Sequence, residues 1–255
     1  MIKKHLLTCS VMLVLVLISM LNIFGTTVTE KLVKTENVGS RTTKFIFIKS
    51  TANAYNFANE ALPLNDARVT RKLNVSLKKH TFKSVQSNVL HRKAEKWFPI
   101  IEPILKIYGI PDDFKYIPLV ESGLCSGTSP KGASGLWQFM PGTARTYGLK
   151  VGHGVDERNN LRKSTIAACK YIKELYGEFN SWTLAAAAYN NGSIKLEKAI
   201  SKQNEDNYFR MSLNRETGSY IYKLIAMKAI IQQPQKYGYN NYYAFTQPTQ
   251  LLNFN

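Results

Sequence analysis

From residue 86 onward, apolar side chains return every three to four positions. Val89, Leu90, Ala94, Trp97, Ile101, Ile104, Leu105 and Tyr108 share one face at that spacing, the period of an amphipathic α-helix. Pro99 and Pro103 fall inside the pattern and are expected to kink or split it, because each removes a backbone donor. Gly109 and Pro111 end it. Asp112 or Asp113 then caps a second helix over 114–122, which carries Glu121 and stops at Gly123. Pro118, inside that helix, is expected to tighten the turn that presents Glu121. The Ser-, Gly- and Thr-rich stretch 124–135 reads as an irregular loop or a small hairpin.

Pro141 opens a short helix that stops at Gly148, and 156–160 reads as a turn. A longer helix is expected over 161–176, with Ile166, Cys169, Ile172 and Tyr176 as its inner stripe and Gly177 as its stop. Ser181 caps a helix over 182–189 whose four successive alanines, Ala185, Ala186, Ala187 and Ala188, let neighbouring backbones approach closely. Asn190, Asn191 and Gly192 break it. A helix over 193–200 and a charged loop over 202–207 lead to the last strong helix, 215–231. The pattern defines a mainly α chain with minimal β structure, folded as one domain over 86–239.

The flanks read differently. Residues 26–85 are polar, basic and weakly patterned, as expected of a linker or of an irregular leader that orders only on the domain behind it. Within them 44–49 could form a short strand or a buried segment. Residues 240–255 form a Tyr- and Asn-rich tail. Residues 1–25 begin with Lys3, Lys4 and His5 and continue into an almost wholly apolar run over 6–24. That is the layout of an export signal, and the length of the apolar run also suits a single membrane anchor. Either places the bulk of the chain in the periplasm or cell envelope.

The net charge of +17 changes the picture more than any other bulk property. It calls for a polyanionic partner: nucleic acid, anionic lipid or an acidic wall polymer. No nucleic-acid-binding motif accompanies the basic residues, and the export signal disfavours such a partner. Besides Cys9 there are only Cys125 and Cys169, which could pair or remain two small buried thiols. The four histidines, His5, His80, His91 and His153, show no metal-ligand spacing, so neither a metal nor a cofactor is expected.

Four blocks carry the candidate chemistry. Glu121-Ser122 ends a helix. Gly135-Leu-Trp-Gln-Phe-Met-Pro141 follows the glycine-rich loop, and Ala187-Ala-Tyr-Asn-Asn-Gly192 closes the alanine-rich helix. Arg215-Glu-Thr-Gly-Ser-Tyr220 opens the last one. Their order and wording resemble the family 1 lytic transglycosylases, above all the membrane-bound D-type subgroup, which share the goose-type lysozyme fold. The resemblance covers roughly 150 residues. It implies a lysozyme-like catalytic domain acting on peptidoglycan glycan strands, with Glu121 protonating the glycosidic oxygen between N-acetylmuramic acid and N-acetylglucosamine. The same carboxylate then takes the proton of the muramoyl C6 hydroxyl as a 1,6-anhydro ring closes. Glycosidases that use water or an enzymic nucleophile need two carboxylates. Glu121 reads as the lone catalytic acid, with Asp156 and Glu157, in a polar turn beside Arg158, as the nearby candidates for a second.

The resemblance assigns further roles. Tyr189 is the phenol expected to hold the glutamate and the reacting groups. Gln138 and Asn190 offer amides to N-acetyl groups and hydroxyls. Ser129 contacts the reacting sugar, Met140 lines the groove, and Tyr220 stands at the groove edge. Trp137 either stacks on a sugar or packs behind the groove. The chain departs from the family's pattern where the loop between Glu121 and Ser129 is one residue shorter and Cys125-Ser126 replaces an Asn-Pro pair. A muramidase on the same fold and an inactive wall-binding scaffold are the competing readings. The basic surface is expected to add attraction to wall carboxylates or an anionic membrane.

Overall fold

The computed structural model describes residues 55–239. The export or anchor segment 1–25, the expected strand over 44–49 and the tail 240–255 lie outside the described residues.

Two short strands, β1 (Asn56–Phe57) and β2 (Glu60–Ala61), pair antiparallel through a two-residue turn. Ala58 and Asn59 both have positive φ there, as a tight hairpin requires. Helix α1 (Ala67–His80) follows, its first turn capped by the Asp66 carboxylate, which accepts from the Arg68 and Val69 amides. Its buried residues Val69, Leu73 and Leu77 recur every four positions and face the last helix of the domain. A single turn, α2 (Phe82–Val85), leads into α3 (Val89–Ile107).

Within the expected leader, residues 55–85 are ordered against the domain that follows. The apolar stripe of α1 is narrow, and five Lys and Arg side chains among its fourteen residues mask it. What holds the hairpin is specific. Phe57 is fully buried against Phe114, their ring centroids 5.0 Å apart. Asp113 accepts from the Ala58 amide at 2.7 Å and from Lys228 Nζ at 2.6 Å. Asp113 therefore pins the hairpin rather than capping the next helix.

Helix α3 is also a correction, since it runs unbroken through Pro99 and Pro103. Each interior proline costs about 3 kcal/mol. Phe98, Ile101, Ile104 and Leu105 are buried from the same stretch, and each contributes about 1.5–3 kcal/mol, enough to offset both. A 3-10 turn, Asp112–Lys115, joins α3 to α4 (Tyr116–Ser122). Pro118 sits in the first turn of α4, where no intrahelical donor is required.

The chain then forms a knot of turns over 123–140, helix α5 (Pro141–Thr146), and a small antiparallel pair, β3 (Val151–Gly152) with β4 (Val155–Asp156). Helix α6 (Leu161–Phe179) passes through Gly177 and ends with Asn180 in the left-handed conformation. Its buried face is Ala167, Ala168, Cys169, Ile172 and Leu175; Ile166 and Tyr176 lie only partly buried at its margin. Tyr176 instead stacks on Trp182 at 3.8 Å.

Helix α7 (Trp182–Asn191) is capped by Ser181, and the Glu60 carboxylate of β2 accepts from the Trp182 and Thr183 amides. Its four alanines are fully buried, matching the expected close approach. Helices α8 (Ser193–Gln203) and α9 (Thr217–Gln232) complete the domain. Helix α9 buries residues on every side, as a central core helix does. The architecture is mainly helical, with two minimal hairpins. No helix among the described residues is long and apolar enough to cross a membrane.

Candidate active site

Glu121 stands in the last turn of α4. The helix ends abruptly because Gly123 adopts φ +60°, its amide bonding Leu119 O while the Leu124 amide bonds Pro118 O. Ser122 Oγ donates to Pro118 O at 2.9 Å and to Leu136 O at 3.0 Å. One serine thus fastens the glutamate's turn to the block that follows it.

That block is a set of turns with little freedom. Ser134 and Phe139 exchange both backbone hydrogen bonds, at 3.0 and 3.1 Å. Gly135 has φ +77°, and a Cβ there would meet Arg158 O at 1.9 Å, so only glycine fits. Arg158 is buried and donates from Nη1 to Gly132 O and Phe139 O. Asp156 grips the same guanidinium with both oxygens, at 2.8 and 2.7 Å. This pairing holds the Asp156 carboxyl below the ordinary range. Asp156 braces the loop, and Glu157 pairs with Lys163 at 2.6 Å. Both carboxylates are engaged in ion pairs.

Helix α9 brings Tyr220, whose hydroxyl donates to Glu121 Oε1 at 2.6 Å. Burial raises the Glu121 pKa above the usual carboxylate value. Tyr220 opposes that rise, neighbouring Glu216 adds to it, and Lys223 and the Asn190 amide oppose it more weakly. The net direction is upward, which keeps a proton available nearer neutral pH. Tyr220 is almost wholly buried, and both its burial and the glutamate keep the phenol un-ionised at neutral pH.

The expected phenol was Tyr189, and here the structure differs. Tyr189 donates to Trp137 O at 2.7 Å, and its ring packs among Trp137, Phe139 and Tyr171. It remains electrostatically close to Glu121. The hydroxyl on the carboxylate belongs to Tyr220, which had been placed at the groove edge. Sequence wording could not separate two tyrosines that both end or open a helix beside the site.

Asn190 is held from both ends: Nδ2 donates to Glu216 Oε1 at 3.3 Å, and Oδ1 accepts from Thr217 Oγ1 at 3.1 Å. Glu216 is the residue the sequence reading missed, although it lies inside the fourth block, Arg215 to Tyr220. It is exposed, and Glu121 senses its charge, which makes it a candidate second acid beside Asp156 and Glu157.

Gln138 takes φ +50° and folds its amide back on Gly135 O at 2.8 Å. Ser129 Oγ accepts from the Ala133 amide at 3.1 Å and closes the turn opposite. Met140 is 46% exposed at the start of α5, open to solvent rather than packed. Trp137 is fully buried and donates from Nε1 to Thr165 Oγ1, which settles it as packing behind the site. Cys169 is buried, its thiol pushed up to about 12 by burial, whereas Cys125 is exposed and accepts from Lys93 Nζ. Both are free thiols.

A carboxyl whose pKa burial raises, bonded by one phenol and close to the held Asn190 amide, suits general acid–base chemistry. Residues 99–211 match the family model described as the transglycosylase SLT domain. The chain belongs to that family. It is 32% identical over 152 residues to the membrane-bound lytic murein transglycosylase D of Escherichia coli K12, covering 57% of this chain and 34% of that protein. It is 30% identical over 148 residues to a putative tributyltin chloride resistance protein of Alteromonas sp. strain M-1, covering 56% and 72% of the two chains. The chain thus spans about a third of the length of the Escherichia coli relative. Among solved structures, the 70 kDa soluble lytic transglycosylase of Escherichia coli aligns with a TM-score of 0.46 at 20% identity, over 65% of this chain and 29% of that one.

Proposed function

We propose that the protein is a peptidoglycan lytic transglycosylase, working without metal or cofactor. The observation that carries this reading is the Tyr220–Glu121 pair: a carboxyl raised by burial, with a phenol 2.6 Å away to steady the carboxylate once its proton is given up. In the first step Glu121 donates its proton to the glycosidic oxygen as the bond from the muramoyl C1 breaks. In the second, the muramoyl C6 oxygen bonds to C1, and its hydroxyl proton returns to Glu121. No water is consumed, and the acid is regenerated. Gln138, Asn190 and Ser129 are proposed to orient the sugars, and Met140 to line their path. Tyr189 is proposed to act from behind, holding the Trp137 carbonyl and the reacting groups in place.

The place of action is proposed as the cell envelope, with the basic surface drawn to wall carboxylates or anionic lipid.

Glu216 favours one second reading. A neighbouring carboxylate could activate water and make the enzyme a muramidase. The test is mass spectrometry of muropeptides released from purified sacculi by the full chain, with Glu121→Gln as control. Anhydro-ended products that vanish in the variant are expected. Reducing ends would replace this reading with the hydrolase. Release by neither protein would leave a wall-binding scaffold.

A further inference from the structure

An open pocket of about 710 Å³ lies where α1 crosses α9 and α4. Val120 and Gly123, on either side of the reactive glutamate in the chain, form part of its wall, as does Lys223, whose charge Glu121 senses. Its floor is apolar, with Leu119, Leu213 and Met227. Its rim is basic: Arg71, Lys72, Lys79, Arg215 and Lys223 line it and no Asp or Glu does. Among the described residues none of the five forms an ion pair.

Basic side chains usually lie solvated on a convex face, and two features set these apart. They converge on a concave site with an apolar floor. They are also crowded: Lys72 is lowered by burial and by the charges of Arg68 and Arg71, repulsion that a bound anion would relieve. Three of the five come from α1 and the other two lie past residue 211, so all five basic residues fall outside the segment matched by the family model.

We propose that this pocket binds a carboxylate-bearing peptide branch of the glycan substrate, seated beside the bond that Glu121 cleaves. The inference rests on the transglycosylase reading for its choice of ligand. A short acidic peptide fits the observations better than other polyanions. The volume suits a few residues, the apolar floor accepts side-chain methyls, and the rim pairs with carboxylates. A lipid surface or a nucleic-acid backbone would call for a broad basic face instead.

The test uses the full chain carrying Glu121→Gln, so that binding is read without turnover. It is titrated with a synthetic stem peptide bearing free carboxylates and with the same peptide amidated. The acidic form is expected to bind at least tenfold more tightly at low salt, and Arg71→Ala with Lys79→Ala to lose roughly tenfold. Both side chains are exposed, and alanine preserves the helix. Removing the same charge elsewhere, by Lys195→Ala with Lys198→Ala on α8, should change nothing. Equal binding of the two peptides, or equal loss in both double variants, overturns the proposal. So does a preference of the Arg71 and Lys79 site for an oligonucleotide or for phosphatidylglycerol vesicles. In parallel, the active chain is assayed on strands with and without stems. The Arg71/Lys79 variant should raise KM about tenfold on the first only, with kcat nearly unchanged. Failure to cleave either strand would refute the transglycosylase reading, while the titration still decides the pocket.

Discussion

Tyr220→Phe isolates the bond on which the proposed chemistry turns. The phenol is almost wholly buried, and its hydroxyl sits 2.6 Å from Glu121 Oε1. Phenylalanine keeps the ring, so packing is preserved. A hydrogen bond to a charged group contributes about 1.5–3 kcal/mol. As Glu121 gives up its proton the carboxylate develops in the transition state, so this contribution falls on the barrier rather than on substrate binding. The expected loss is roughly 10- to 150-fold in kcat, with KM changed little. A second readout comes from pH. Tyr220 lowers the Glu121 pKa, so its removal lets that pKa rise, and the alkaline limb of the kcat/KM profile should move to higher pH. The assay is steady-state release of soluble muropeptides across pH. A loss below threefold with an unmoved alkaline limb would refute the role given to Tyr220. A larger loss in Tyr189→Phe than in Tyr220→Phe would return the phenol's role to Tyr189.

Glu121→Gln should stabilise the fold at neutral pH by about 0.5–2 kcal/mol, as removal of a strained functional group often does. Its raised folded pKa means the native state holds the proton longer, so wild-type stability falls as pH rises from the ordinary carboxylate value through the folded one. The gap in Tm between the two proteins should therefore close at acid pH, and a gap independent of pH would count against burial as the cause. Gly135→Ala drives a Cβ to 1.9 Å from Arg158 O at φ +77° and is expected to cost more than about 2 kcal/mol in urea unfolding; a loss under 0.5 kcal/mol would show that the turn relaxes freely. Glu60→Ala leaves the Trp182 and Thr183 amides without their acceptor and should cost about 2 kcal/mol, read as a lowered urea midpoint. An unchanged midpoint would mean that Ser181 suffices as the cap.

The helices of the domain were legible wherever one apolar face was wide. Helix α6 follows from its periodicity and α7 from its Ser181 cap, while α9, buried on every side, follows from its sustained apolar content. Where the pattern failed, packing had outweighed local chemistry. Pro99 and Pro103 read as breakers, yet the buried face of α3 carries the helix through both. Gly177 read as a stop, but α6 runs on until Asn180 turns it. The stretch from Tyr55 was hidden for another reason. Its contacts join residues far apart, Asp113 to Ala58 and Glu60 to Trp182, and no local window contains both partners.

The site followed the same division. Glu121, Gln138 and Asn190 stood out because each closes or follows an element whose end is written in neighbouring glycines. Which of two tyrosines bonds the glutamate is a question of distance across α4, α7 and α9, and sequence order does not carry it. Glu216 shows the more consequential gap. Four residues before Tyr220, it lies one helical turn away, so the helix that delivers the phenol also brings a second charge near Glu121. Burial and Glu216 both raise the carboxyl, while Tyr220 steadies the carboxylate that forms when the proton leaves. An acid held this way favours protonation before the leaving group departs and accepts a proton readily afterwards. Asn190 occupies Glu216 and ties it to the start of α9. Asn190 bonds one oxygen of Glu216, so the released muropeptide ends, anhydro or reducing, decide whether Glu216 only tunes Glu121 or also activates water. In the proposed mechanism one carboxyl acts twice, its proton affinity raised first by burial and then by Glu216, and lowered by Tyr220.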